Sequence, residues 1–341
     1  MQPIHTLHDF FVRTGAEVRA YHLGRRVEPC NLEVLESFEA GNTPWPQPWQ
    51  GQARLGLVFR LGDAPDPLIW FLALPIDEQG LLVPAPRDAF LQRLLETLGR
   101  SVQHAGGKGD GRIDNLMQDN PLAYTPSLPF QAMLHARASH DMDMPASPHL
   151  EPVEAYLSGQ QALDWQALGL QGLADYVVRL DDDTSQLLSA RLTDLPNEVL
   201  TSLCYCLEHR QVPDALTRAL RHRGERAAAE GDIERFCACV RAVSGGSPAL
   251  VGDWFDTLLA DPDACGPDLL AALAGRGWAH LEDAERLPRF LARLAEEPRA
   301  DFAAVARDLA LIPRLRLPVL MALREAGPDT VIGQRLAGLG H

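Results

Sequence analysis

Lysine is nearly missing from this sequence: Lys108 is the only one among 31 basic residues, and the rest are arginine. Schiff-base catalysis and a phosphate-gripping lysine would both have to rest on Lys108, inside the run GGKGDG at residues 106–111. That run lacks the Walker spacing and has no hydroxyl after the lysine, so it is read as a flexible linker. Long apolar runs are missing too. No stretch reaches the roughly 18 apolar residues of a membrane span, and no basic region precedes an apolar one at the N-terminus, so neither a span nor a signal peptide is expected. The six cysteines, at positions 30, 204, 206, 237, 239 and 265, suit free thiols in a reducing compartment better than a disulfide framework, and the expected location is the cytoplasm. There is no G-x-S-x-G elbow, no dinucleotide-binding glycine fingerprint and no paired C-x-x-C, so the familiar catalytic and metal signatures give no enzyme class.

Positive charge is in short supply. Against 31 basic residues stand 46 acidic ones, a formal net charge of -15. Residues 1–100 hold 9 basic and 12 acidic side chains, a net of -3; the remainder holds 22 and 34, a net of -12. A phosphate backbone is repelled on average, which disfavours nucleic acid as a partner without removing a local arginine stripe from consideration. The 46% hydrophobic and 23% charged composition is that of a globular chain, and 341 residues are more than one average core needs, so two domains are expected.

The first hundred residues alternate between helix and strand patterns. Ile4, Leu7, Phe10 and Phe11 share a helical face, and Thr14-Gly15 ends that helix. Residues 16–23 alternate as a strand, the turn Gly24-Arg25-Arg26 follows, and Asn31 is a good N-cap for a helix through Phe38, with Gly41 as its stop. NTPWPQPWQGQ at 42–52 is a stiff loop carrying Trp45 and Trp49. Residues 53–60 and 68–74 read as strands joined by the turn-rich GDAPDP, 81–83 as a brief third strand after DEQG, and 88–98 as a helix closed by Gly99. Residues 1–100 are therefore expected to form a small α+β domain, an antiparallel or mixed sheet with helices on one side.

Residues 101–155 hold the glycine run and prolines at 121, 126, 129, 145, 148 and 152, the pattern of a connector with a short helix near 130–139. Residues 156–341 are rich in Leu, Ala, Arg and Glu, with breaks every 10–20 residues, and read as a mostly α-helical domain. TSLCYCLEHR at 201–210 and ERFCACVRAV at 234–243 align at an offset of 33, the size of a two-helix repeat. A HEAT-like α-solenoid and an irregular bundle both fit.

The candidate sites divide by region. Cys204, Cys206, Cys237 and Cys239 are thiols in numbers that suit zinc, but residues two apart on a helix diverge, so ordinary core packing is favoured. His135, His140, Asp141 and Asp143 in HARASHDMD lack the i,i+4 histidine spacing of a helical zinc site, and His8 and Asp9 diverge around the first helix, with His5 nearby. More distinctive is the N-terminal part. Arg25 and Arg26 follow a strand and suit a carboxylate or phosphate clamp, although a solvated turn is the favoured reading. Trp45, Trp49 and Trp70 are the aromatic type enriched at binding hot spots, and with the two arginines make the candidate interaction surface; self-packing is the favoured reading for Trp45 and Trp49, and of Trp70 and Phe71, which alternate on their strand, one faces the core and the other the helices or a partner. No catalytic residue, metal ligand or cofactor is assigned.

GRRVEP, the Pro/Trp segment, LGLVFR, IWFLALPIDEQGLL and APRDAFL resemble a proteobacterial protein family of unknown function, most clearly between about residues 5 and 100 and over most of the chain. The resemblance implies a bacterial cytoplasmic protein and supplies no site residue. The leading expectation is a non-enzymatic interaction or regulatory protein whose partner is another protein, the negative helical region favouring a basic one. The alternatives are a hydrolytic or metal-dependent enzyme at the domain interface using His135, His140, Asp141 or Asp143, and a nucleic-acid accessory factor aligning Arg19, Arg25, Arg26, Arg54 and Arg60.

Overall fold

A computed structural model of the chain describes residues 4–61, 66–103, 117, 120–159 and 164–338. Lys108 with its glycine run, and residues 62–65 of the GDAPDP loop, lie outside the described residues. The chain divides into two compact units, Met1–Ser127 with Leu311–Pro313, and Leu128–Ala310 with Arg314–His341.

In the first unit, helix α1 (Leu7–Thr14) begins where the Thr6 hydroxyl accepts the Asp9 N–H, and it ends at Gly15, whose φ of 64° is open to glycine at little cost. Strands β1 (Glu17–His22) and β2 (Glu28–Cys30) follow, then helix α2 (Leu32–Glu39), capped by Asn31 as its sequence suggests. A two-residue turn with positive φ at both Gln50 and Gly51 closes the Pro/Trp segment, with Trp49 and Gln52 exchanging backbone hydrogen bonds. That twist suits a hairpin entry, and strand β3 (Gln52–Arg60) starts there; β4 (Leu68–Pro75) and α3 (Pro84–Gln103) complete the unit.

The four strands are ordered β2-β1-β3-β4, every pair antiparallel. The register sets Ala20 opposite Leu57 and Leu57 opposite Trp70, so Val18, Ala20, Leu55, Leu57, Phe59, Trp70, Leu72 and Leu74 share one face. Phe10, Phe11, Leu35, Phe38, Phe90 and Leu94 from the three helices close over that face. Trp70 sits among Phe59, Phe90, Phe11 and Phe10, with ring centroids 4.7, 5.6, 6.2 and 6.4 Å away. Residues 81–83 contribute only an isolated bridge, Leu82 to Ile76, rather than a strand. The strand Glu28–Cys30 carries no alternating apolar pattern; Pro29 is tolerated because β2 is an edge. At the other edge Ala73 N–H donates to Leu122 O at 2.8 Å and Tyr124 N–H to Phe71 O at 3.3 Å, so residues 122–124 run along β4 and cover part of it.

The second unit is a mostly helical region. Its helices are α4 (Leu128–Asp141), α5 (Leu150–Leu157), α6 (Leu170–Val178), α7 (Asp182–Arg191), α8 (Asn197–Leu207), α9 (Asp214–Ala229), α10 (Ile233–Ala242), α11 (Pro248–Ala260), α12 (Pro267–Gly275), α13 (Arg286–Glu296), α14 (Phe302–Ala310), α15 (Pro313–Glu325) and α16 (Val331–Gly338). Pro248 and Pro267 open their helices, where a missing N–H costs nothing.

Arginines tie these helices together over a recurring separation. Arg210 donates to the carbonyls of Val177 and Leu180, 33 and 30 residues back. Arg223 reaches Leu192 and Thr193 (31 and 30), and Arg293 reaches Leu259 (34). Arg241 and Arg286 meet carboxylates, Glu208 at a separation of 33 and Asp256 at 30. Helix C-termini leave carbonyls without partners, and the guanidinium fork can bond two acceptors at once, which an ammonium on a flexible stem does less well.

Candidate interaction surface

Helix α15 has the sequence PRLRLPVLMALRE. Its apolar residues fall into two sets. Leu315 and Val319, one turn apart, are buried. Leu317, Leu320 and Met321, also one turn apart, face outward with 65%, 46% and 48% of their surface exposed. A helix that supports a core needs only one such set, so the second is left to water. Pro318 lies on the outward side and has no N–H, so the Arg314 carbonyl lacks its usual helical donor.

Arginine marks both ends of the stripe. Arg314 keeps 80% of its side chain exposed while bridging Glu282 at 3.4 Å, and Arg324 is exposed one turn beyond Met321. At a rise of about 1.5 Å per residue the two positions stand about 15 Å apart along the axis. The arrangement can bury apolar surface against a partner and pair charges at its rim; aliphatic side chains offer no nucleophile or transferable proton.

A second constellation is internal. The buried Glu208 carboxylate accepts from Arg241 at 2.6 and 3.0 Å and from Arg276 at 2.6 Å, with His209 Nε2 at 3.7 Å. Burial raises its pKa, but Arg276, His209 and Arg241 outweigh burial and bring it down to about 2. Arg276 lies 5.2 Å over Phe130, Arg241 lies 4.8 Å over Tyr205, and Phe130 packs edge-on to His209 at 4.8 Å. These contacts join α4, α8, α10 and the end of α12. The Glu208 carboxylate is buried while Arg241 remains part-exposed, and the cluster fastens helices.

Burial changes the reading of the N-terminal candidates Arg25, Arg26, Trp45, Trp49 and Trp70. Trp70 is at the centre of the sheet core, and Trp45 is equally buried, packed on His22 at 4.8 Å and Phe38 at 5.0 Å. Arg25, fully buried, donates to Pro48 O at 2.9 Å and lies 5.1 Å over the half-buried Trp49. Arg26, also buried, pairs with Glu28 at 3.4 Å, and the Gln47 amide donates to that same carboxylate at 2.6 Å. The YHLGRR turn and the Pro/Trp segment thus fold onto each other, made possible by Gly24, where an added Cβ would stand 2.9 Å from Trp49 Cβ. A side chain spent on that closure is not available to a second molecule.

The other candidates stay apart. Cys204, Cys206, Cys237 and Cys239 are buried free thiols on the paired helices α8 and α10, while among the described residues no three metal-capable side chains converge. His135, His140 and Asp143 are exposed; Asp141 is half-buried, 3.2 Å from Arg137 and 3.3 Å from His140. The His8 N–H goes to Glu39 at 2.9 Å, whereas the Asp9 carboxylate accepts the His5 N–H at 3.3 Å. By register Arg19, Arg54 and Arg60 share the sheet face away from the helices, where Glu17 bridges Arg19 at 3.8 Å and Arg60 at 3.3 Å, and Arg54 lies 5.2 Å over Tyr124.

Sequence reasoning missed Leu317, Leu320 and Met321. The signal that was available is an apolar pattern too wide for one face, with a proline set inside it.

Among the described residues no helix is long and apolar enough to cross a membrane. No curated protein and no solved structure matches the chain. A family defined as "Protein of unknown function (DUF3549)" matches residues 2–339, nearly end to end, and the chain belongs to that family.

Proposed function

We propose that this chain is a non-enzymatic protein-binding or adaptor protein of the bacterial cytoplasm, and that α15 grips its partner. The observation that carries the proposal is the outward stripe of Leu317, Leu320 and Met321. Large apolar side chains left in water at helical spacing are what a groove or a second helix can cover, with release of water as the driving force. A protein is favoured over nucleic acid because the chain carries a net charge of -15. We read the helical unit as HEAT-like, a stacking that offers extended surfaces; the arginine contacts recurring at 30–34 residues and the pairing of the two Cys-x-Cys helices support that reading. Six free, buried cysteines suit a reducing compartment, and the likeness of GRRVEP and IWFLALPIDEQGLL to a proteobacterial family supports the bacterial origin.

The test is affinity capture of the tagged chain from its own cells after crosslinking, in parallel with a Leu317→Asp/Met321→Asp variant. A stoichiometric protein recovered with the parent chain and lost from the variant, whose circular dichroism and melting temperature are unchanged, is the expected result. Equal recovery with both, or no partner with either, overturns the proposal.

A further inference from the structure

We propose that His22 and the Pro/Trp segment form an acid-sensitive clasp: a proton on the His22 imidazole frees residues 43–49 from the turn at 23–28 and bares Trp45, while the sheet stays paired. The clasp lies in the first unit and is independent of the α15 reading. His22 is the last residue of β1, and its register puts it on the face of Ala20 and Leu55. Its ring is buried and packs on Trp45 at 4.8 Å. Its Nδ1 has no hydrogen-bond partner, and neither has the indole N–H of Trp45 or the Oε1 of Gln47. A neutral imidazole tolerates that place. An imidazolium there has lost its water, and its Nδ1–H has no acceptor.

The charged groups nearby are already engaged. Glu28 stands opposite His22 in the β1–β2 register, but its Oε1 pairs with Arg26 at 3.4 Å and its Oε2 accepts the Gln47 amide at 2.6 Å. Arg25 is held by the Pro48 carbonyl and Trp49. From β3 the residue across the ladder is Leu55, and Arg54 lies on the other face over Tyr124. From α2, Phe38 packs on Trp45 at 5.0 Å, while the Glu39 carboxylate is taken by the Leu7 and His8 N–H groups and Arg87. Burial therefore outweighs Glu28 and lowers the pKa of His22 from 6.5 to about 4. Opening returns the imidazole to water and to 6.5, so the open form takes up the proton. Its ratio to the closed form rises as pH falls from 6.5 to 4, by up to about 300-fold. The segment is the part able to yield. Pro44, Pro46 and Pro48 bring no N–H, and residues 43–49 lie outside the four strands. Side chains thus supply much of the fastening, through Gln47 on Glu28, Arg25 on the Pro48 carbonyl and Trp45 on His22, beside the backbone bonds of Trp45 to Gly80 and Trp49 to Gln52, each 2.9 Å.

The experiment is backbone hydrogen exchange of the full chain, followed by mass spectrometry at pH 7 and pH 5 and corrected for the intrinsic pH dependence of exchange. Peptides covering residues 43–51 read the clasp; those covering 53–60 and 68–75 read the sheet. In the parent chain, protection of 43–51 is expected to fall about twentyfold between pH 7 and pH 5, with the sheet peptides unchanged. Two variants remove the titrating group, His22→Phe keeping an apolar ring and His22→Gln a polar side chain. Circular dichroism at pH 7 shows which of them folds, and in a folded variant the protection of 43–51 should not change with pH. The same fall in a folded variant would overturn the proposal, because another group would then be responsible. So would a fall shared by the sheet peptides, which would mean acid unfolding of the whole unit, or no fall in the parent chain at all.

Discussion

Glu208 is a carboxylate with almost no access to water, and two arginines hold it ionised. Removing its charge weakens the bonds from Arg276, which keeps the Gly275 carbonyl, and from the part-exposed Arg241, so Glu208→Gln is expected to cost about 1–3 kcal/mol in urea denaturation. Its folded pKa, about 2 against an ordinary 4.5, sets the pH range of that contribution. The stabilisation is whole above about pH 4.5 and drains away as pH falls toward 2, so parent and variant stabilities should converge in acid. His22 follows the same direction higher up. Burial lowers its pKa from 6.5 to about 4, with Glu28 pulling weakly the other way. Folded His22 therefore stays neutral while the unfolded chain takes up a proton, and its contribution is whole above pH 6.5 and lost as pH falls from 6.5 to 4. The imidazole resonance should titrate near pH 4; a midpoint near 6.5 would refute its burial. Neither behaviour follows from a local motif, because each depends on groups from other segments: Arg241 and Arg276 for Glu208, Trp45 for His22.

Gly224 lies inside α9, where glycine costs a free helix about 1 kcal/mol relative to alanine. An alanine Cβ there would stand 2.9 Å from the Trp254 ring and 3.0 Å from Cys239 Cβ, and neither can step aside easily. Gly224→Ala is therefore expected to lower the melting temperature although it raises helix propensity; a rise would show that α9, α10 and α11 pack less closely than this. The Cys-x-Cys helix α10 shares that contact. Burial pushes the Cys237 and Cys206 thiols up to about 12, so a disulfide reagent at pH 8 should leave the native chain almost unlabelled and react with all six thiols on unfolding. At this level the sequence was informative wherever a local rule held. Asn31 caps α2, Gly15 ends α1, and residues 53–60 and 68–74 fall within β3 and β4. It was silent at Glu28–Cys30, which is a strand because β1 offers it a ladder, and misleading at Gly99, which α3 passes through.

Two units of different construction share this chain, a helix-covered antiparallel sheet and a helical array fastened by arginine. Leu317→Asp alone should lower recovery of a partner in affinity capture without moving the melting temperature, because at 65% exposure this side chain supports no core. Capture beside a thermal melt checks both; full recovery with a stably folded variant would remove Leu317 from the interface.

The order of elements and the change from a mixed to a mostly helical region could be read along the chain, because periodicity, caps and proline breaks act over a few residues; the division at Ser127–Leu128 could not, and falls inside the 101–155 connector. Which apolar and charged side chains face inward could not. Trp45 and Trp70 could be read either as core or as a binding surface and are interior, Arg25 in its turn is interior too, and Leu317, Leu320 and Met321, which the sequence did not single out, stand in water. A helical or strand period says which residues share a face. Only the packing of distant segments says whether that face is covered, since burial is a property of what lies opposite.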